Sequence, residues 1–106
     1  MNIQLKKGLV EMCVLAIISK EPSYGYKIVS DMKEIMILSE STLYPILRRL
    51  ESAKQLTTFT RDYNGRLRKY YQITSEGLRR LSAFKDEWEE MKSVYDFINE
   101  RSVIRK

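Results

Sequence analysis

Seven basic side chains, Arg48, Arg49, Lys54, Arg61, Arg66, Arg68 and Lys69, lie between residues 40 and 73 against three acidic ones. Residues 1–39 carry five basic and four acidic groups, and residues 74–106 carry seven of each. The net charge of +5 is therefore concentrated in the middle third of the chain. A localised positive region is suited to holding a phosphate backbone. Ser41, Thr42 and Tyr44 stand beside these cations, and their hydroxyls can bond phosphate oxygens or base edges.

Other chemistry finds few reagents here. The chain has one cysteine, Cys13, and no histidine. A structural zinc site needs about four Cys or His ligands, and Cys-His or Ser-His-Asp catalysis needs an imidazole. An intramolecular disulfide is impossible, as suits a reducing compartment. Cys13 lies in an apolar run and reads as a small core residue. Gly8, Gly25, Gly65 and Gly77 are isolated and make no phosphate-binding loop. Most carboxylates stand singly among Lys and Arg, as on solvated helix faces. Catalysis and a cofactor are not expected.

The elements that must position the basic groups follow from periodicity. Leu5 to Ser19 is apolar on nearly every side, the pattern of a buried central helix. Glu21-Pro22-Ser23 breaks it, and Ser23 is placed to cap a second short helix opening at Tyr24-Gly25-Tyr26, with Ile28, Val29 and Met32 as its apolar face. An apolar connector, Ile35 to Leu38, separates it from a third helix over about Glu40 to Ala53. There Leu43, Ile46, Leu47 and Leu50 form one stripe, and Ser41, Thr42, Tyr44, Pro45, Arg48 and Arg49 lie opposite. Pro45 belongs in a first turn, so regular helix is expected to start late, near Ser41 or Thr42.

After Gln55 the period changes. Leu56 to Tyr63 and Leu67 to Ile73 are rich in Thr, Tyr and other β-prone residues, and Asn64-Gly65 joins them. Asn-Gly between two such runs predicts a tight hairpin, because both turn positions take positive φ. Arg61, Arg66, Arg68 and Lys69 are then near its tip, although charges such as Arg68 and Lys69 equally protect a strand edge. Thr74 caps a last helix, in which Leu81, Phe84, Trp88, Met91, Tyr95 and Ile98 follow a 3, 4, 3, 4, 3 spacing. That seam outreaches a small domain and predicts packing against a second copy of the chain.

The order helix, helix, helix, hairpin, long helix predicts an α+β, mostly α fold. It is a winged helix-turn-helix with three N-terminal helices, a two-stranded β-wing and a long C-terminal dimerisation helix. Residues 1–73 form the DNA-binding part and 74–106 the dimerisation helix, in one compact unit. The third helix enters the major groove, about 12 Å wide, with Ser41, Thr42, Tyr44, Arg48 and Arg49. The wing brings Arg66, Arg68 and Lys69 to the backbone or the adjacent minor groove. A winged-helix protein-interaction module is the rival function, and a sequence-indifferent DNA binder is a third. The basic excess argues against the module, and a specificity ratio at stated salt separates the DNA binders.

The chain resembles the PadR family of bacterial regulators from Leu5 to about Ile98. The matching segments are Leu5-Lys6-Lys7-Gly8 leading to Leu15-Ala16-Ile17-Ile18, then Ser23-Tyr24-Gly25-Tyr26. Leu38-Ser39-Glu40-Ser41-Thr42-Leu43-Tyr44-Pro45 and Leu47-Arg48-Arg49-Leu50-Glu51 follow, and then Arg68-Lys69-Tyr70-Tyr71-Gln72-Ile73-Thr74. It departs from the family at Ser41 and Gln55, where Gly is frequent. The resemblance implies a dimeric regulator on a pseudo-palindromic double-stranded DNA operator, in the short-tailed subgroup with one C-terminal helix. It also implies that this helix and the N-terminal segment build the dimer interface. Some short-tailed members hold planar hydrophobic compounds against a Trp of the C-terminal helix, and Trp88 matches that place. Trp88 thus reads as a dimer anchor, as the flank of a small planar effector site, or as both. A repressor released by such a ligand is the expected function. With no apolar run of about 18 residues and no signal-peptide layout, no membrane association and a cytoplasmic location are expected.

Overall fold

The computed structural model describes residues 2–104. The outer limits expected for the two parts, residues 1 and 106, lie outside the described residues. The elements are α1 (Ile3–Lys20), α2 (Gly25–Met32), α3 (Glu40–Ser52), β1 (Leu56–Tyr63), β2 (Arg66–Ile73) and α4 (Ser75–Arg101). This is the expected mostly helical fold, with β1 and β2 as one antiparallel pair.

Residues from five elements and a connector make the core. Val14, Leu15 and Ile18 of α1 meet Ile28 and Met32 of α2, Leu43, Leu47 and Leu50 of α3, Leu38 of the connector, and Leu56 and Tyr71 of the hairpin. Each removes apolar surface from water, worth about 1.5–3 kcal/mol for a fully buried large aliphatic side chain. α1 is buried only in its second half. Its residues before Gly8 are exposed, Ile3 and Leu5 by more than half.

Two local expectations need correction. Ser23 does not cap α2. Its backbone exchanges two hydrogen bonds with Tyr71 in an isolated bridge, Ser23 N donating to Tyr71 O at 3.1 Å and Tyr71 N to Ser23 O at 2.7 Å. That pairing holds Ser23 extended on the free edge of β2, so the cap position passes to Tyr24, which makes no side-chain cap bond. α3 does not start late either. Ser39 caps it, accepting from Thr42 N at 3.2 Å, and helix begins at Glu40. Pro45 consequently lies in the second turn, where its missing N–H leaves a carbonyl one turn earlier without its helical donor. That carbonyl belongs to Ser41, an exposed residue, so water can satisfy it.

The hairpin turn forms as expected, with φ of 50° at Asn64 and 80° at Gly65. Thr74 caps α4 by accepting from Gly77 N at 3.1 Å, and its hydroxyl donates to the Lys54 carbonyl at 2.6 Å. The bonds of Thr74 tie the start of α4 to the end of α3. Gly77 permits the approach, since a Cβ there would collide with the Gln55 carbonyl and come within 2.7 Å of Ile73 Cγ1. Beyond Phe84 the helix leaves the core, and every residue from Lys85 to Arg101 is exposed. The molecule measures 61 Å along its longest axis. Among the described residues no helix is long and apolar enough to cross a membrane.

Candidate nucleic-acid interface

Three exposed regions carry the expected contact residues: the N-terminal turn of α3, its outer face, and the hairpin. At the N-terminal turn, the hydroxyls of Ser39, Ser41 and Thr42 form a small cluster, with Ser39 Oγ 3.0 Å from Ser41 Oγ and 2.9 Å from Thr42 Oγ1. Ser41 and Thr42 remain exposed. The first-turn N–H groups of a helix favour a nearby anion, and hydroxyls grouped there can share its oxygens.

Tyr44 is placed less simply. Its hydroxyl donates to Glu40 Oε2 at 3.3 Å, and its ring lies against α2 at Gly25, where a Cβ would come within 2.8 Å of the phenol oxygen. Burial first, then Glu40, pushes this phenol above its ordinary pKa. Tyr44 therefore fixes how α2 crosses α3 while keeping one edge at the surface.

Arg48 and Arg49, adjacent in sequence, do different things. Arg48 is exposed on the outer face of α3. Arg49 forms an ion pair with the buried Glu11 of α1. The other Glu11 oxygen accepts from Arg80 of α4 at 2.7 Å, and Arg80 also donates to Gln55 Oε1 at 2.7 Å. Burying a carboxylate is costly unless it is paired and hydrogen-bonded, and Glu11 meets that requirement with cations from two other helices. Arg49 is thus joined to the scaffold, while Arg48 stays exposed.

On the hairpin, the two-residue turn fixes the register: Tyr63 opposes Arg66, Arg61 opposes Arg68, and Phe59 opposes Tyr70. These six share one face. Arg66 is exposed next to the turn and Lys69 is exposed on the opposite face, its Nζ 5.7 Å from the Tyr71 ring centre. Arg61 and Arg68 stand directly opposite, an arrangement that like charges disfavour. Each turns onto aromatic rings. Arg61 Cζ is 5.3 Å from the Phe59 centroid and 5.2 Å from that of Tyr70. Arg68 Cζ is 3.9 Å from the Tyr24 centroid and 3.7 Å from that of Tyr63.

The expected DNA contacts thus fall on α3 and the hairpin, with Arg49 drawn toward Glu11. Phe59 and Tyr63 are not among the expected site residues, although counting outward from Asn64-Gly65 places them beside the basic group. Tyr24 carries no such signal, because its contact with Arg68 spans elements distant in sequence. The expected seam on α4 lies elsewhere: Leu81 and Phe84 pack against the core, whereas Trp88, Met91, Tyr95 and Ile98 are 51–62% exposed. Trp88, Met91, Lys92 and Tyr95 line a notch of about 310 Å³ on this helix.

The model of the transcriptional regulator PadR-like family matches residues 14–83. An uncharacterised protein of Lysinibacillus sphaericus is 32% identical over 99 residues, covering 89% of this chain and 91% of that one. Among solved structures, a protein of Streptococcus mutans UA159 is 44% identical, with a TM-score of 0.79 and 92% of each chain covered. A PadR-like transcriptional regulator of Bacillus cereus is 32% identical, with a TM-score of 0.82, and covers 93% of this chain and 99% of its own.

Proposed function

The chain belongs to the transcriptional regulator PadR-like family, a family of DNA-binding regulators rather than enzymes, and we propose that it is a dimeric repressor of a pseudo-palindromic operator. The observation that carries this reading is the α4 seam. Trp88, Met91, Tyr95 and Ile98 repeat at heptad spacing and are all more than half exposed. A contiguous apolar stripe of this kind marks an interaction surface, and its spacing fits a second helix of the same sequence. Two copies joined there present two α3 helices and two wings, one set per half-site.

In each half-site, Ser41, Thr42, Tyr44 and Arg48 face the major groove, while Arg66, Arg68 and Lys69 hold the backbone or enter the minor groove. Arg49 contributes through the scaffold. Repression follows from occupancy of DNA that the polymerase needs. Release is by a small planar hydrophobic compound held between the two Trp88 side chains, since the Trp88 notch gains a second wall when two copies meet. Trp88 is the single Trp of the chain, so quenching of its fluorescence by a planar dye reports that site alone. Unchanged emission at high micromolar dye would remove the ligand from this account.

Nuclease footprinting of the DNA upstream of the protein's own gene tests the operator reading. The expected result is two related protected segments with centres about one helical turn, 10–10.5 base pairs, or a multiple of it apart. A single unpaired segment, or uniform partial protection, would contradict a dimer on a pseudo-palindrome.

A further inference from the structure

The sandwich around Arg68 joins two elements that the sequence keeps far apart. Tyr24 comes from the turn that opens α2, Tyr63 from the end of β1, and Arg68 from β2. The central carbon of the guanidinium lies under 4 Å from both ring centres. All five N–H donors of a guanidinium lie in its plane. Contact with the two rings takes up none of these donors, while it removes much of the freedom of a long, flexible side chain. Tyr24 is further held by Tyr70, whose ring meets it edge-on at 5.6 Å, and Tyr70 stacks on Phe59 at 5.3 Å.

We propose that Tyr24 and Tyr63 are positioning residues for DNA binding: they clamp Arg68 so that its rim is presented to a phosphate, and they lock the wing to the helix-turn-helix. This rests on the reading of the chain as a DNA-binding regulator. The opposed Arg61–Arg68 pair supports it, because two like charges face to face are a cost that a merely structural hairpin would not carry. A cation–π contact is worth about 0.5–1 kcal/mol at an exposed site and more when desolvated. The clamp thus holds Arg68 in place without neutralising it, as a carboxylate partner would.

The test is a set of full-length variants titrated against upstream DNA at one fixed salt of about 0.15 M, because phosphate contacts depend steeply on it. Tyr24→Leu keeps the apolar bulk and removes the ring, and it should weaken binding about five-fold. Tyr24→Phe keeps the ring and should stay within about two-fold of wild type. In an Arg68→Ala background, Tyr24→Leu should add no further loss, because Tyr24 then has nothing to position. The free protein gives a second readout: the Arg68 side-chain proton resonances should be displaced upfield by the flanking rings, less so in Tyr24→Leu and unchanged in Tyr24→Phe.

Equal losses for Tyr24→Phe and Tyr24→Leu would place the Tyr24 hydroxyl on the DNA and overturn the positioning role. A full additional loss in the Arg68→Ala background would do the same. Wild-type binding with Arg68 resonances at random-coil positions would overturn the clamp alone. A wild-type protein that bound no DNA would overturn the functional reading, and with it the purpose assigned to the clamp.

Discussion

Arg80 of α4 donates to Glu11 of α1 at 2.7 Å, and through the same carboxylate it is linked to Arg49 of α3. A single buried acid therefore joins α1, α3 and α4, the helix that leaves the core. The arrangement is unequal: the Glu11 side chain is 5% exposed and that of Arg80 34%. Either cation can turn to water if the acid is lost, but the acid cannot if a cation is lost.

Arg80→Ala should consequently destabilise the protein by about 2 kcal/mol, the scale for leaving one buried carboxylate oxygen unsatisfied while Arg49 still pairs with the other. Glu11→Gln should cost less. Denaturant midpoints at constant m-value measure both. A loss under about 1 kcal/mol for Arg80→Ala would mean that Glu11 is satisfied without it.

Arg49 of α3 and Arg66 beside the wing turn should separate by assay. Arg66→Ala is expected to leave the unfolding midpoint unchanged, weaken binding to all DNA sequences and lower the salt slope by about one. Arg49→Ala should lower the unfolding midpoint through Glu11 and leave the salt slope nearly unchanged. A salt slope lowered equally by both would place Arg49 on phosphate.

The α4 seam supports a third expectation. Met91→Glu puts a charge into the exposed stripe between Trp88 and Tyr95, where two copies would bury it unpaired. Light scattering should then report monomers, and operator binding should fall at least ten-fold because half-sites no longer bind together. Met91→Glu that remained dimeric would place the interface elsewhere.

Alkali provides a fourth. The buried Tyr71 phenol is raised above its ordinary value of 10.0, by burial first and then by Tyr44 and Glu51, with Arg48 opposing. A group that holds its proton more tightly when folded adds stability that is fully present below the unfolded pKa and is lost as pH rises through the folded one. Stability should therefore fall with pH above about 10, and Tyr71→Phe should flatten that fall. Phenolate absorbance and unfolding midpoints across this range decide it. An equal fall in Tyr71→Phe would assign the effect to Tyr44 or to other groups.

Much of this architecture was legible in the sequence because it rests on local rules. The leucine stripe of α3, the Asn64-Gly65 turn and the Thr74 cap each declare themselves within a few residues. What escaped depended on contacts across the fold. Ser23 carries the chemistry of a helix cap, but the free edge of β2 takes its backbone instead. Pro45 suggested a late start to α3, yet an exposed carbonyl one turn back makes an interior proline tolerable. Arg49 looks like a free surface cation, yet it pairs with Glu11, about a third of the chain away. Tyr24 reads as an ordinary turn aromatic, and only the bridge of Ser23 to Tyr71, which lays the segment before α2 along β2, brings it over Arg68.

The most direct test of the central claim is a fluorescence-anisotropy titration of the protein against its own upstream DNA and a scrambled control at about 0.15 M salt. The account predicts nanomolar binding to the first, two chains per site, and an affinity at least about 10³ greater than for the control. Equal weak binding to both would contradict a sequence-reading regulator and leave a basic winged helix that grips phosphate alone.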